Sequence, residues 1–394
     1  MIGIYTVAIA SAALDALVAG WVLVGGRTRV DTQRMLASAL ASAAFFAVKA
    51  AVLFALLPER SLFMLVLLGY AYVAGTLPLL GLAVFHSARR RPVSAPVRAA
   101  AALSLCAAPL ALWCSLVEPF RLCTEEVAVP LAPERAGRAA LRIGVLADVQ
   151  ARAVGDFERQ AVARLMALAP DLIVIPGDLA QVWPRDEDAA VEEFHALVAP
   201  LDAPLGVWMV LGNSDDETLV HRALSGTRVR LLEDERVELT WRDRRVTLCG
   251  IGKLFWSERA KRAAAELEAL PGEGDVRILL THYPDALELL PADSRVDLLV
   301  AGHTHGGQVQ IPLLGPPITL SNVPRRIAAG GLHELGGRRV YVSRGLGVER
   351  GWAPRMRLDC PPEITLLTLS GASAALDIAE RDLRTEPDVP QGSR

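Results

Sequence analysis

Four long apolar segments fill the first third of the chain and limit most strongly what it can fold into. They span residues 3–24, 35–57, 61–85 and 99–117. Each has about the 20 residues that an α-helix needs to cross a bilayer, and a helix satisfies its own backbone polar groups inside lipid. The share of hydrophobic residues, 52%, and the mean hydropathy of +0.33 agree with this interpretation. We therefore expect a four-helix, all-α transmembrane bundle over residues 1–117, with the lipid bilayer as its partner.

The loops between these segments differ in positive charge. Seven arginines lie in the loops after the first and third segments, namely Arg27, Arg29, Arg34, Arg89, Arg90, Arg91 and Arg98. The loop after the second segment has only Arg60, and the start of the chain has none. Short cytoplasmic loops are enriched in Lys and Arg. We therefore expect a multi-pass protein of the cell (inner) membrane whose downstream domain is extracytoplasmic. The first segment has no basic start, so we expect it to be retained rather than cleaved.

Two ionisable residues, Asp15 and Lys49, lie inside the predicted spans. Ionisable groups in lipid are costly and are usually paired or functional. At the helical rise of 1.5 Å per residue, Asp15 lies about 19 Å and Lys49 about 12 Å below the same face, a gap that a lysine side chain can bridge. We predict an ion pair between helices; the alternative is a lysine that extends to the interface beside a protonated aspartic acid.

Beyond residue 140 the chain changes to short apolar runs that each end in a polar side chain. The runs are 141–147, 171–176, 207–211, 277–280 and 296–300. Apolar residues at helical spacing between the first two runs indicate a strand-helix-strand unit, and hence parallel strands. Ligands of open α/β sheets bind at the carboxyl ends of the strands. We therefore expect the side chains after these runs to converge, although they span more than 150 residues of chain.

These strand ends carry carboxylates, amides and imidazoles: Asp148, Gln150, Asp178, Asn213, His282, His303 and His305. Such oxygen and nitrogen ligands suit divalent ions such as Mn²⁺, Zn²⁺ or Fe²⁺. Each residue alone also has an ordinary explanation, because aspartate after a strand is often a helix N-cap and asparagine after glycine is often a turn residue. Their combination favours a metal site.

The order Asp-x-Gln, Gly-Asp, Gly-Asn-Ser-Asp, His and Gly-His-x-His resembles that of the calcineurin-like metallophosphoesterase superfamily, in particular its membrane-associated YkuE/YaeI-like branch. Stretches 281–285, 302–308, 341–347 and 360–364 support this resemblance, which covers residues 124–370. It implies an α/β domain at 141–370 with two packed mixed β-sheets flanked by helices. We expect residues 118–140 to be a linker with an opening strand, and residues 371–394 to be a polar, partly disordered tail.

The resemblance also implies a cofactor, two divalent metal ions bridged by Asp178. The coordination of one ion would be completed by Asp148, Gln150 and His305, and that of the other by Asn213, His282 and His303. Such a pair activates a hydroxide and stabilises both sides of an in-line phosphoryl displacement. The expected function is therefore a membrane-tethered phosphoesterase that hydrolyses a phosphodiester or pyrophosphate bond in a lipid-linked or membrane-proximal substrate.

Two positions depart from the commonest pattern of the family. Gln150 stands where histidine is usual, and Ser214 stands where a histidine assists the reaction. The amide of Gln150 should weaken the site and shift its preference away from softer metals. Serine is no acid near neutral pH, so we expect substrates with good leaving groups, such as a nucleotide diphosphate, to tolerate Ser214 best. His221 is an alternative proton donor. The predicted catalytic residues are thus Asn213 and Ser214, with Arg344 expected to position an anionic substrate. The stretch from 325 to 357 around Arg344 has eight arginines and two acidic residues.

Other functions are less consistent with the sequence. A net charge of −3 without an aromatic-interleaved basic stripe disfavours a nucleic-acid partner. A serine hydrolase using Ser214 lacks a Gly-x-Ser-x-Gly turn. A non-catalytic sensor, in which the domain binds metal and phosphate and the helices transmit, stays open. Residues 254–256 form an apolar loop patch, expected either in the core or as a lip that meets lipid.

Overall fold

A computed structural model describes residues 2–25, 29–56, 62–272, 274–349 and 353–371. The chain divides into two compact units: a first unit of Met1–Glu118 with Glu349–Met356, and a second unit of Pro119–Val348 with Arg357–Arg394. The loop arginines Arg27 and Arg60 and the expected tail beyond residue 371 lie outside the described residues.

The first unit is made of apolar helices. Its helices are α1 (Ile2–Val24), α2 (Thr32–Leu56), α3 (Leu62–Ala71), α4 (Leu77–Ala88), α5 (Ala95–Leu105) and α6 (Ala107–Leu112). A π-helical turn, Tyr72–Thr76, joins α3 to α4, and a second one, Trp113–Val117, follows α6. Four segments are long and apolar enough to cross a membrane: Tyr5–Val24, Thr32–Leu56, Phe63–Ala88 and Ala95–Phe120. They coincide with the four predicted spans apart from a few residues at the ends.

Asp15 on α1 and Lys49 on α2 form the predicted ion pair. The Lys49 ammonium contacts the Asp15 carboxylate and also donates to the backbone oxygen of Ser11 at 3.3 Å. The Asp15 side chain is completely buried and that of Lys49 is 10% exposed. Lys49 Nζ also lies 5.1 Å from the centre of the Phe46 ring. Because each charge compensates the other in an apolar environment, the pair fixes α1 against α2.

Replacing one member of this pair leaves a buried charge without its counter-charge. We expect Asp15→Asn and Lys49→Met each to lower the free energy of unfolding by about 3 kcal/mol. The double variant removes both charges and should recover most of the loss. Thermal unfolding of the full chain in detergent, followed by circular dichroism, measures both effects. Wild-type stability of Lys49→Met would show instead that the ammonium reaches the lipid headgroups.

The second unit contains two six-stranded sheets. Its strands are β1 (Cys123–Leu131), β2 (Leu141–Val145), β3 (Leu172–Ile175), β4 (Val207–Met209), β5 (Val229–Leu231), β6 (Glu235–Trp241), β7 (Arg244–Ile251), β8 (Val276–Thr281), β9 (Leu298–Ala301), β10 (Gly331–Leu335), β11 (Arg338–Val342) and β12 (Glu363–Gly371). Its helices are α7 (Pro133–Ala136), α8 (Asp156–Ala167), α9 (Glu187–Val198), α10 (Glu217–Leu224), α11 (Glu258–Glu268) and α12 (Arg325–Ala328). The predicted opening strand is β1.

Both sheets are mixed. The first has the order β1-β12-β2-β3-β4-β5, with β2 to β5 parallel and β12 antiparallel to β2. The second has the order β10-β11-β9-β8-β7-β6, with β7, β8, β9 and β11 parallel and antiparallel strands at both edges. The parallel pairing of β2 and β3 around α8 is the predicted strand-helix-strand unit. Two mixed sheets with helices are the fold that the family resemblance implied.

Alternation along the strands builds three apolar layers. Ile143 and Val174 point from the first sheet into a cluster that also contains Ile278 of the second, so the sheets pack face to face. Ile173, next to Val174, points to the other side, where α8, α9 and α10 cover the first sheet. Leu279, next to Ile278, packs on α11 and its neighbours. This rigid core holds the strand ends in place.

Candidate metal centre

The predicted ligands follow strands of both sheets. Asp148, Asp178 and Asn213 come within four residues of the ends of β2, β3 and β4 in the first sheet. His282 directly follows β8, and His303 follows β9, in the second sheet. The packing of one sheet on the other therefore brings together loops that are far apart in the chain.

Five of these side chains form one cluster, in which Asp148, Asp178 and His282 are buried, His303 is half-buried and Asn213 is exposed. One ligand atom from each of Asp148, Asp178 and His282 lies within 4.8 Å of the others. His282 Nε2 is 3.6 Å from Asp178 Oδ2 and 2.9 Å from Asn213 Oδ1. The rings of His282 and His303 are 5.0 Å apart between centres, and His303 N donates to Asp148 Oδ1 at 2.9 Å. The structure thus brings these residues together as the sequence predicted.

The backbone at the cluster adopts a conformation that non-glycine residues rarely use. The φ angles are positive at Asp148 (48°), Gln150 (41°), Asp178 (55°), His303 (71°) and His305 (48°). Left-handed backbone at such residues costs energy, persists only where the surrounding structure enforces it, and concentrates at functional sites. Five of the seven predicted ligands are therefore held in place at an energetic cost, which an ordinary set of loop residues would not require.

The electrostatics of the cluster suit cations. Burial, with the nearby Asp178 carboxylate, raises the pKa of Asp148 well above its usual value. Asp148 Oδ2 is buried without a hydrogen-bond partner among the described residues. Burial, with the neighbouring His282, lowers the pKa of His303 to about 4, so its imidazole is neutral at neutral pH. Crowded carboxylates and neutral imidazoles are the groups that bind divalent ions.

The tautomer of His282 also fits a metal ligand. His282 Nδ1 lies 2.9 Å from the backbone oxygen of Pro176, which can only accept, so we assign the ring proton to Nδ1. Nε2 then presents its lone pair towards Asn213 Oδ1, another acceptor, at 2.9 Å. With this orientation of the Asn213 amide the two acceptors repel each other, and a cation bound to both would remove the repulsion. Oxygen and nitrogen ligands of one ion are commonly separated by about 3 Å, given bonds of about 2.1 Å.

Comparison with known proteins decides the family. The family model described as calcineurin-like phosphoesterase matches residues 141–307. The phosphodiesterase YaeI of Escherichia coli is 31% identical over 215 residues, covering 53% of this chain and 74% of that protein. The uncharacterized metallophosphoesterase YkuE of Bacillus subtilis is 31% identical over 222 residues, covering 52% of this chain and 69% of YkuE. The chain belongs to the calcineurin-like phosphoesterase family.

A third relative matches more of this phosphoesterase. LpxG of Chlamydia trachomatis, named a UDP-2,3-diacylglucosamine pyrophosphatase, is 26% identical over 317 residues, covering 65% of this chain and 92% of LpxG. The resemblance inferred from the sequence is confirmed, and the chain is a metal-dependent phosphoesterase whose candidate ligands include Asp148, Asp178 and His282.

Gln150 and Ser214, the two positions that depart from the commonest family pattern, contact each other. Gln150 Nε2 donates to Ser214 Oγ at 2.9 Å. Ser214 Oγ donates to Asp178 Oδ2 at 3.0 Å, and Ser214 N donates to Asp178 Oδ1 at 2.8 Å. The serine therefore links the amide of Gln150 to a central carboxylate of the cluster.

Asp215 holds the Asp178 loop, a role that sequence reasoning did not assign. Its carboxylate accepts from the backbone N–H groups of Asp178 (2.8 Å), Leu179 (2.8 Å), Ala180 (3.2 Å) and Gly212 (2.9 Å). Burial and the Asp178 carboxylate raise the pKa of Asp215 to about 7. Its position at the end of the Gly-Asn-Ser-Asp motif was the available signal.

Three further predicted residues have surroundings that leave their roles open. The guanidinium of Arg344 pairs with the carboxylates of Glu125 and Glu363, so contact with a substrate would require breaking these pairs. His221 lies with Glu217 and Glu233, in a second group of exposed or half-buried side chains. His305 is 3% exposed on the turn after His303. Their functional roles stay predictions.

Gly302 allows the close approach of Asp148, because a Cβ at Gly302 would lie 2.4 Å from Asp148 Oδ2. We expect Gly302→Ala to displace this carboxylate and lower the free energy of unfolding by about 2 kcal/mol. The matched control is Gly252→Ala, whose Cβ would meet nothing nearer than 3.7 Å. Thermal unfolding of both variants measures the difference, and equal melting temperatures would contradict the tight packing at Asp148.

Proposed function

We propose that the chain is a membrane-tethered, dinuclear-metal phosphoesterase that hydrolyses a phosphodiester or pyrophosphate bond in a lipid-linked or membrane-proximal substrate. The observation that carries the proposal is the cluster of Asp148, Asp178, Asn213, His282 and His303, built around three buried side chains, in a chain with four candidate membrane spans. The relative LpxG is named for a substrate with two acyl chains, which supports the lipid-linked class.

Each group of residues has a separate task in this proposal. The bound ions would supply positive charge and an activated water for attack on phosphorus. Asp178 would bridge them, with Asp148, Gln150 and His305 on one side and Asn213, His282 and His303 on the other. The Pro176 carbonyl fixes the proton of His282 at Nδ1, and Asp215 fixes the loop that carries Asp178.

The organisation of the chain is part of the proposal. We assign residues 1–117 to the membrane, 118–140 to a linker with the opening strand, and 141–370 to the phosphoesterase domain. The extracytoplasmic placement of that domain rests on the basic loops, which include Arg29, Arg34 and Arg98.

Asp178→Asn tests the bridging role, because an amide of equal size provides less charge between two cations. We expect the variant to lose bound metal and to lose hydrolysis across phosphomonoesters, phosphodiesters and nucleotide-lipid pyrophosphates. Metal analysis of the purified full chain and a screen of these substrates measure both.

The control for this experiment is Asp293→Asn, an exposed aspartate of the same domain, which should behave as wild type. Undiminished metal content and turnover in Asp178→Asn would refute the bridging role. A wild-type protein that binds metal but turns over none of these esters would favour the sensor function.

We propose that Ser214 is a positioning residue for Gln150. A carboxylate only accepts, so the hydroxyl proton points to Asp178 and the serine lone pair receives the Gln150 N–H. The hydrogen bond therefore assigns the amide nitrogen of Gln150 to the side of Ser214. The amide oxygen points away from Ser214 and is available as a metal ligand. Residues that orient metal ligands commonly contribute 10- to 100-fold in affinity.

Ser214→Ala is expected to weaken metal binding about tenfold, because the Gln150 amide loses its nearer acceptor and keeps the longer bond of 3.4 Å to Gln181 Oε1. Calorimetric titration of the full chain with Mn²⁺ measures this without requiring turnover. In a Gln150→Ala background the same change should have little further effect. The control Ser225→Ala alters an exposed serine. Full additivity of the Gln150 and Ser214 changes would disprove the coupling.

A further inference from the structure

Two loops of the second unit expose large apolar side chains. One loop, between β7 and α11, exposes Leu254 (52%) and Trp256 (55%); the other, after His305, exposes Leu313 (106%) and Leu314 (73%). Ile311 and Leu320 on the second loop are also exposed. We call these six residues the apolar rim. In the part of this unit that the structure describes, the other large apolar side chains with comparable exposure are Phe120 and Trp183.

Both loops adjoin the same edge of the metal centre. Phe255, between Leu254 and Trp256, has its ring centre 5.5 Å from that of Tyr283, and the ring of Tyr283 is 4.4 Å from that of His303. On the other loop, the backbone oxygen of Leu320 accepts a hydrogen bond from His303 Nε2 at 3.1 Å. The apolar rim therefore borders the side of the cluster that His303 forms.

The backbone of the second loop holds its leucines at an exposed tip. Ile311 and Gly315 exchange two backbone hydrogen bonds, of 3.1 and 2.8 Å, around the tip that carries Leu313 and Leu314. Leu313 and Leu320 have positive φ angles, 69° and 52°. Glycine or asparagine adopts this conformation more readily than leucine. Leucine is thus an unusual residue for these positions, and the tip holds two leucine side chains exposed to solvent, where an apolar environment would be more favourable.

Charge around the apolar rim favours a lipid surface as that environment. Residues 306–324 include no Asp, Glu, Lys or Arg, and the exposed Arg325 and Arg326 follow directly. Lys253 precedes Leu254 on the other loop. Apolar tips flanked by basic residues are typical of protein surfaces that bind anionic bilayers. The same chain has four candidate spans, which keep a bilayer within reach.

We propose that the apolar rim inserts into the lipid surface of the bilayer and thereby holds the metal centre beside the phosphate groups of lipids. A tip whose backbone hydrogen bonds are internal can enter the interface at low cost. The benefit for a lipid-linked substrate rests on the proposed function, whereas the contact with lipid does not.

Fluorescence quenching tests the lipid contact. The full chain with Leu313→Cys, in a background where the exposed or half-buried Cys106 and Cys123 are serine, is labelled with an environment-sensitive dye and reconstituted into anionic nanodiscs. We expect a blue-shifted emission and strong quenching by lipids that carry a nitroxide on the acyl chain. The same dye at Asp293→Cys, an exposed polar position of the same unit, should show neither effect.

Absence of quenching at position 313 would overturn the proposal. If an added soluble protein instead shielded the label from the nitroxide lipids, the apolar rim would be assigned to a protein partner. Because this readout needs no turnover, it separates the lipid contact from the proposed hydrolysis. In a second arm, Leu313→Gln with Leu314→Gln should lower kcat/KM about tenfold on a lipid-linked diphosphate in nanodiscs. It should leave hydrolysis of water-soluble bis(p-nitrophenyl) phosphate unchanged. Equal losses on both substrates would contradict a lipid-specific role.

Discussion

The buried carboxylates of Asp148 and Asp178 are the constraint on which the rest of the site depends. Negative charge in the interior is costly unless hydrogen bonds and cations compensate it. The structure compensates part of it through N–H and O–H donors, since His303 N donates to Asp148 and Ser214 N and Oγ donate to Asp178. Divalent ions, which the family uses, would compensate the rest. Both aspartates have positive φ angles, and this unfavourable backbone conformation directs their carboxylates to the same place.

The packing of the two sheets against each other holds the side chains that surround these carboxylates in place. The cluster takes ligands from β2, β3 and β4 of one sheet and from β8 and β9 of the other, so the separation of the sheets sets the distance between the two sets of ligands. A close-packed core cannot expand or slip without large cost. The apolar layer that includes Ile143, Val174 and Ile278 is thus the support of the metal centre as well as the main interface between the sheets.

Features that depend on a short stretch of sequence were predictable. Apolar length predicted the four candidate spans, and the polar residue after each apolar run predicted the cluster. The Asp15–Lys49 pair was predictable because ionisable residues are rare inside apolar spans, but most contacts between distant polar residues carry no such local mark. Gln150 and Ser214 are 64 residues apart, and Arg344 meets Glu125 across 219 residues. The same limit explains why Arg344 suggested a free guanidinium, and why β12 was not anticipated between β1 and β2.

The contact between Gln150 and Ser214 changes the meaning of the two departures from the family pattern. Considered separately, Gln150 would be a weaker metal ligand than histidine, and Ser214 would leave the site without an acid. They are joined by one hydrogen bond, and in the role we propose the serine orients the amide that stands where histidine is usual. The missing acid still has a consequence, because the leaving group must depart without a proton from this position. A phosphate leaving group is a stable anion and an alkoxide is not, so under the proposed function we expect a diphosphate to suit this arrangement better than an alkyl phosphodiester.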